Sequence, residues 1–340
     1  MNSLKKQLVI GSAIDPTNGD QNPYGLAIAT TSYQTVKKGS LYVCNFNNSA
    51  NVQGSGTTIE SLTAVPGSSP VRFAQSNALL GCSALAMDVL PNTWSTASRA
   101  KALTPVMPSG SVGKSYKGKS YVEPWGVTYA TTGGIYPTSA IFVSDASTGS
   151  IVLAQSCNSG NCVQPGTAIV TGFAVNHGKP GSILGPSGLQ FDPKNCVKIG
   201  GRPACGTLYV VDGKTNTVVA IHNVLNLRKA KSIVVSANGK TFSGPEGKWA
   251  SLLHAGNPLK GPISSALFYN GNLVVGNTLN PKGTNLMVEL SPAGKVLATR
   301  NVDKGAAGAL FGMVATGSNA ATTKLYFNDD NANNVQVLQR

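Results

Sequence analysis

Charge is scarce in this chain. Asp, Glu, Lys and Arg make up only 12% of its 340 residues, about half the usual share, and the acidic residues are the fewest, 13 against 27 basic ones. Histidine occurs three times, and His177, His222 and His254 share no spacing that a joint metal site would use. No apolar run approaches the roughly 18 to 20 residues of a membrane-spanning helix, and no long amphipathic helix is evident. A Gly-x-Ser-x-Gly nucleophile elbow is missing, as is a phosphate-binding glycine loop. These absences exclude a helical membrane protein and argue against Ser-His-Asp hydrolysis and nucleotide chemistry.

Arginine, the preferred reader of phosphates and bases, is scarce beside lysine. The lysines are scattered over polar loops, among them Lys37, Lys38, Lys114, Lys117, Lys119, Lys229 and Lys231. The net charge of +14 therefore does not point to sequence-specific nucleic-acid binding. It fits attraction to an anionic surface, or a solvated coat. The start of the chain is basic at Lys5 and Lys6, but its apolar run falls short of the ~7 to 15 residues of a signal-peptide core. It reads as a mature N-terminus behind an added or retained Met, before which a signal could have been removed.

What the chain has is glycine, proline and small polar residues, the composition of short strands joined by many turns. Laid against itself, the sequence shows a repeat. A Pro-aromatic-Gly-like corner leads into an apolar strand at Asn22-Pro23-Tyr24-Gly25, Glu123-Pro124-Trp125-Gly126, Gly185-Pro186-Ser187-Gly188, Gly261-Pro262-Ile263-Ser264 and, with leucine for proline, Ala309-Leu310-Phe311-Gly312. A second strand follows and ends in Asp or Asn, at Asn45, Asp145, Asp212, Asn277 and Asp329. A third, β-branched element closes each unit, as in Thr217-Val218-Val219-Ala220-Ile221.

The gap from Pro23 to Pro124 is wide enough for two units. A degenerate copy sits there, with Pro70 at the corner and Ala84 to Asp88 as its second strand. The stretches around Cys157 to Lys179, Cys196 to Cys205 and Leu227 to Lys260 read as loops. Strand-turn-strand repeats of this kind build propeller blades. The expectation is an all-β, single-domain, six-bladed β-propeller over 1–340, with four-stranded antiparallel blades. The strand Leu8-Val9-Ile10 should pair with the last strand and seal the ring, since an open ring would leave bare sheet edges.

Six cysteines suggest disulfides. Cys157 and Cys162 flank Asn-Ser-Gly-Asn, Cys196 and Cys205 flank a loop containing Gly200 and Gly201, and Cys44 remains with Cys82. The rivals are zinc, whose knuckle spacings the pairs miss, and free buried thiols. Disulfides place the protein in the periplasm or among secreted proteins.

The pattern Pro-x-Gly-hydrophobic, then hydrophobic-Tyr-Val-x-Asp, then Asn-x-Val/Ile-x-hydrophobic resembles the NHL repeat over most of the chain, departing in the degenerate unit and at Ile263-Ser264. Asn22-Pro23-Tyr24-Gly25, Asn45-Phe46-Asn47-Asn48, Gln53 to Thr58 and Ala306 to Gly312 are similar to a largely uncharacterised group of exported bacterial NHL-type proteins. The resemblance implies the fold and the compartment, and no activity. The amidating lyases of the NHL class carry zinc on histidines at such corners; here Tyr24, Trp125, Ser187 and Phe311 stand there, so zinc lyase chemistry is not expected.

Function should lie where the repeats differ. If the corners converge at the mouth of the channel, Tyr24, Trp125 and Phe311 with Asn22, Ser187 and Glu123 would line a shallow cup for a planar or sugar-like ligand. Glu123 would be its hydrogen-bond acceptor or, if desolvated, its proton carrier. The alternative for the rings is packing between blades. No cofactor is required; a calcium ion on Asn22, Glu123 and Asn277 is the metal the sequence could take. The leading expectation is an exported noncatalytic scaffold that binds a protein or polysaccharide on its loop-rich face. A metal-dependent lactonase- or lyase-type enzyme with an axial site is the second, and a basic cell-surface or matrix component the third.

Overall fold

The computed structural model describes residues 1–133, 138–278 and 284–340. Runs of β-branched and aromatic residues punctuated by glycine and proline form short strands, and among the described residues the only helices are three 3-10 turns of three residues each. None is long and apolar enough to cross a membrane.

Five sheets are four-stranded antiparallel blades or extensions of one. From the inside outward, the first blade is Gln21–Ile28, Leu41–Asn47, Thr58–Leu62 and Val71–Gln75. The second is Pro124–Thr131, Thr138–Asp145, Ser150–Asn158 and Thr167–Thr171; the third is Pro186–Ile199, Arg202–Asp212, Thr217–Ile221 and Ala250–Ala255. The fourth is Pro262–Leu267, Leu273–Asn277, Asn285–Leu290 and Val296–Asp303. The fifth joins Met313–Thr316, Lys324–Asp329 and Asn334–Gln339 to Lys6–Ser12, with Lys6 opposite Gln339 and Ser12 opposite Asn334.

Six four-stranded blades were expected, and this is corrected to five. Between the first and second blades lies a sheet of three strands, Cys82–Met87, Thr93–Ala97 and Ala102–Val106. Pro70 does not open it but leads into Val71–Gln75, the outer strand of the first blade. Residues 84–87, expected in a second strand, belong to the innermost one, and Asp88 lies just beyond it. After Val106 no continuous strand forms. Pro108 and the glycines at 110, 113 and 118 interrupt the chain, which pairs with the sheet in the isolated bridges Leu103 to Tyr116 and Val106 to Val112 rather than as a strand. The six innermost strands contact one another in a circle, and Gln21–Ile28 meets Met313–Thr316.

The stretches expected as loops are largely paired. Ser150–Asn158 and Asn161–Val163 form a hairpin with Cys157 opposite Cys162, and Pro186–Ile199 and Arg202–Asp212 form a long one with Cys196 opposite Cys205. Within residues 227–260, Ile233–Val235 runs parallel to Thr167–Thr171, covering the edge of the second blade. All three cysteine pairs are disulfides, with Cys44–Cys82 tying the first blade to the three-stranded sheet.

The core lies between adjacent sheets. Every residue of Leu41–Asn47 is buried, as a strand covered on both faces requires. Between the second and third blades, Phe142, Leu153, Leu208 and Val210 pack at 0% exposure, each contributing about 1.5 to 3 kcal/mol by burial.

Candidate functional site

The corners converge on the axis, and the small residue at each one is a requirement of that approach. A Cβ at Gly126 would lie 1.9 Å from the Ser187 carbonyl oxygen, and one at Gly312 would lie 2.5 Å from that of Tyr24. Where glycine is missing, serine fits because its hydroxyl bonds to the next corner. Ser264 Oγ donates to the Leu310 carbonyl at 2.8 Å and Ser83 Oγ to that of Pro124 at 3.1 Å.

The residues between proline and glycine meet, but they make no open cup. Tyr24 stacks on Phe311 at a centroid distance of 3.5 Å and on Phe46 at 4.2 Å, while Trp125 meets Tyr24 edge-on at 6.0 Å. Tyr24, Trp125, Phe311 and Ser187 are buried, and so is Asn22. The rings pack on one another rather than lining an open cup: Tyr24 stacks against Phe46 and Phe311, and Trp125 meets Tyr24 and Phe46 in T-shaped contacts, which removes more apolar area from water than an open arrangement. Ile183 and Leu184 pack against the cluster. They are held by Asn176, whose Oδ1 accepts from Leu184 N at 2.8 Å and from Gly178 N at 2.9 Å. The same loop reaches the first blade, where an added Cβ on Gly181 would meet Gln53 Oε1 at 2.5 Å.

Along the axis a cavity of about 70 Å³ remains, lined by Gly25, Ser83, Gly126, Gly188 and Ser264 together with the rings. A water needs about 10 to 15 Å³ by this measure, and ligand pockets run to roughly 300 to 1,000 Å³. The cavity has room for a few waters and none for a sugar ring.

Two carboxyls near the cluster are perturbed. Burial and the Asp145 charge push Glu123 up to about 7, against the pull of Arg99 and Lys101. Burial and Asp329 push Asp330 up to about 8, and its buried Oδ1 has no hydrogen-bond partner. Tyr24 is raised in turn by burial and by Asp330. Both acids could exchange a proton near neutral pH, yet neither lines the axial cavity.

The blade-end residues serve the scaffold. Asp145 accepts from Val122 N and Glu123 N through Oδ2, both at 2.8 Å, and from Thr148 N through Oδ1 at 2.9 Å. Asn277, named as a metal ligand, has both side-chain ends engaged, by Lys260 N and the Pro258 carbonyl. Asn22, at φ 63°, donates its backbone N–H to Asn333 Oδ1 at 2.8 Å. Among the described residues no three of His, Cys, Asp and Glu come together as a metal site. His222 sits between Thr207 Oγ1 and Ser251 Oγ, while His254 faces the Gly294 and Asn257 carbonyls.

Sequence reasoning missed Phe46, Asp330 and the 176–184 loop. The first two carried a signal: they follow Asn45 and Asp329, where the other blades place Ala146, Gly213 and Thr278. This is a second ring of variable positions. Larger spaces lie away from the axis, one of about 570 Å³ beside Lys194 and Tyr269 and another of about 640 Å³ beside Tyr116.

No protein-family model matches the sequence, and no curated protein matches it. Solved structures similar to the chain include one from the nidogen/laminin complex, at 14% identity and TM-score 0.54, covering 88% of this chain and 87% of that one. Regucalcin, a calcium-binding protein from Agrobacterium tumefaciens str. C58, is similar at 14% identity and TM-score 0.54, covering 97% and 95%. A catalytically inactive virginiamycin B lyase from Staphylococcus aureus, with quinupristin, is similar at 13% identity and TM-score 0.51, covering 98% and 84%. At these identities the likeness shows the fold alone, and that fold is a β-propeller.

Proposed function

We propose that the protein is an exported, NHL-type propeller that serves as a noncatalytic scaffold, binding a protein or polysaccharide partner outside the axis. The observation that carries this reading is the stacked cluster of Tyr24, Phe46, Trp125 and Phe311, which leaves only about 70 Å³ along the axis. Three disulfides support an oxidising compartment. The pairing of Lys6–Ser12 with Asn334–Gln339 is then the seam of the ring. The similar chain from the nidogen/laminin complex comes from a protein–protein assembly, which supports a protein partner for a chain of this fold.

The test is binding of the labelled protein to arrays of glycans and extracellular proteins, with and without chelator, beside Glu123→Gln. A scaffold of this kind keeps its ligands in both conditions. Loss of binding on chelation or in Glu123→Gln would move the site to the Glu123 corner.

A second reading rests on the two raised carboxyls, Glu123 at about 7 and Asp330 at about 8. It is an enzyme of the lactonase or lyase type in which these acids, beside the ring cluster rather than in the axial cavity, would carry protons or offer oxygen to a calcium ion. Regucalcin is a calcium-binding propeller. Elemental analysis before and after chelation separates the readings: a stoichiometric calcium that returns after stripping favours the enzyme.

A further inference from the structure

The three-stranded sheet leaves room at its outer edge where the blades carry a fourth strand. Residues 107–121 and the chain after the Cys157–Cys162 hairpin enclose a groove of about 640 Å³ there, within the range of ligand pockets. Lys114, Lys117 and Lys119 are exposed on it, and Tyr116, Tyr121 and Gln164 line it. No aspartate or glutamate is among the lining residues. None of the three ammoniums forms an ion pair among the described residues.

The groove is built. Gln164 Nε2 donates to Tyr116 Oη at 2.9 Å and Gln155 Nε2 does so at 3.4 Å, so the phenol keeps its own proton for a ligand. The Tyr116 ring lies 5.7 Å from that of Trp94, and Ser120 Oγ donates to the Gly166 carbonyl at 2.6 Å, pinning the two walls together. The backbone of the edge strand is already engaged. Leu103 and Tyr116 exchange N–H to carbonyl bonds at 3.0 and 2.8 Å, Gly113 N donates to the Pro105 carbonyl, and Pro105 itself has no N–H. A peptide therefore cannot add here as a strand. What remains on offer is ammonium, amide and hydroxyl groups beside tyrosine rings, the set that recognises carboxylate or sulfate groups on a hydroxyl-rich ring.

We propose that this groove binds an anionic saccharide, uronate or sulfated, through Lys114, Lys117 and Lys119 with Tyr116 and Gln164 positioning the sugar. This rests on the scaffold reading and names its ligand class. Calorimetric titration of the full chain with hexagalacturonate, a sulfated hexasaccharide, neutral maltohexaose and a hexaglutamate peptide tests it. Binding of at least one anionic sugar is expected, with the other two probes weaker by about tenfold or more. The triple variant Lys114→Gln, Lys117→Gln, Lys119→Gln should weaken it about tenfold, as three exposed charge contacts would. The triple variant Lys6→Gln, Lys295→Gln, Lys304→Gln removes the same charge from exposed positions on other blades and should change it less than twofold. Tyr116→Phe, which keeps the ring and deletes the hydroxyl, should weaken binding with its salt dependence unchanged. Equal losses in the two triple variants would show diffuse attraction, equal binding of hexaglutamate would assign the groove to acidic peptides, and no sugar binding would remove the site; each overturns the proposal. Array ligands that survive the groove substitutions would leave the scaffold reading standing without it.

Discussion

Tyr24 and Phe311 lie face to face at 3.5 Å with their planes 8° apart, and this stack joins the first and last blades at the axis. The two segments that carry them, the strand Gln21–Ile28 and the chain just before Met313–Thr316, come from opposite ends of the sequence, so the contact exists only once the ring has formed. Phe311→Ala should cost about 3 kcal/mol or more, from lost burial and the hole left behind. Urea unfolding followed by near-ultraviolet dichroism checks this; a cost under about 1 kcal/mol would show that the rings do not hold the ring of blades together.

Gly126→Ala is expected to be among the most damaging small substitutions, because its Cβ would meet backbone, the Ser187 carbonyl, at 1.9 Å. A loss of about 3 kcal/mol or more, or failure to fold, should be seen by thermal melting. A melting temperature within a few degrees of the parent would contradict the close approach of neighbouring corners.

The disulfides should differ in weight. Cys44–Cys82 closes 38 residues and Cys157–Cys162 only 5, so chain entropy assigns them about 4 and about 2 kcal/mol respectively. Replacing each pair by alanine and comparing unfolding free energies gives the order. Peptide mapping by mass spectrometry under non-reducing conditions should recover the same three pairs.

Glu60 makes stability depend on pH. It is fully buried on the first blade, and burial with the neighbouring Asp15 charge pushes it up to about 9 from the ordinary 4.5. The fold keeps a proton that the unfolded chain releases, so this stabilisation is complete below about pH 4.5 and drains away toward pH 9, at up to ~1.4 kcal/mol per unit. Asp15 works the other way. Burial draws it upward, but the Arg72 guanidinium, bonded to both its oxygens, outweighs this and holds it well below the carboxylate range. Its contribution is present above about pH 4 and lost only in acid. Glu60→Gln, a fixed copy of the protonated acid, should match the parent near pH 4.5 and exceed it by several kcal/mol, at most ~5, at pH 8. Equal pH slopes in urea melts would mean that Glu60 ionises freely in the fold.

Much of the architecture was legible because its signals are local. Pro23-Tyr24-Gly25 and its counterparts mark strand entry by turn chemistry, and Asn45, Asp145, Asp212, Asn277 and Asp329 mark strand exits by bonding nearby backbone. The degenerate unit was misread because Cys82-Ser83-Ala84 shows no proline or glycine. Serine at 83 substitutes for glycine through a bond to Pro124, a residue that becomes its neighbour only in the ring.

The sequence by itself determined an all-β repeat, the corner and exit of its five regular units and the three cysteine pairs, since each follows from residues a few tens of positions apart at most. Tertiary structure alone decided the count of four-stranded blades, the filling of the axis and the groove at the three-stranded sheet. Tyr24, Phe46, Trp125 and Phe311 are spread along the whole chain. Whether they would open to a ligand or stack on one another depended on how closely the blades approach, and Gly126 and Gly312 let them approach closely enough to stack.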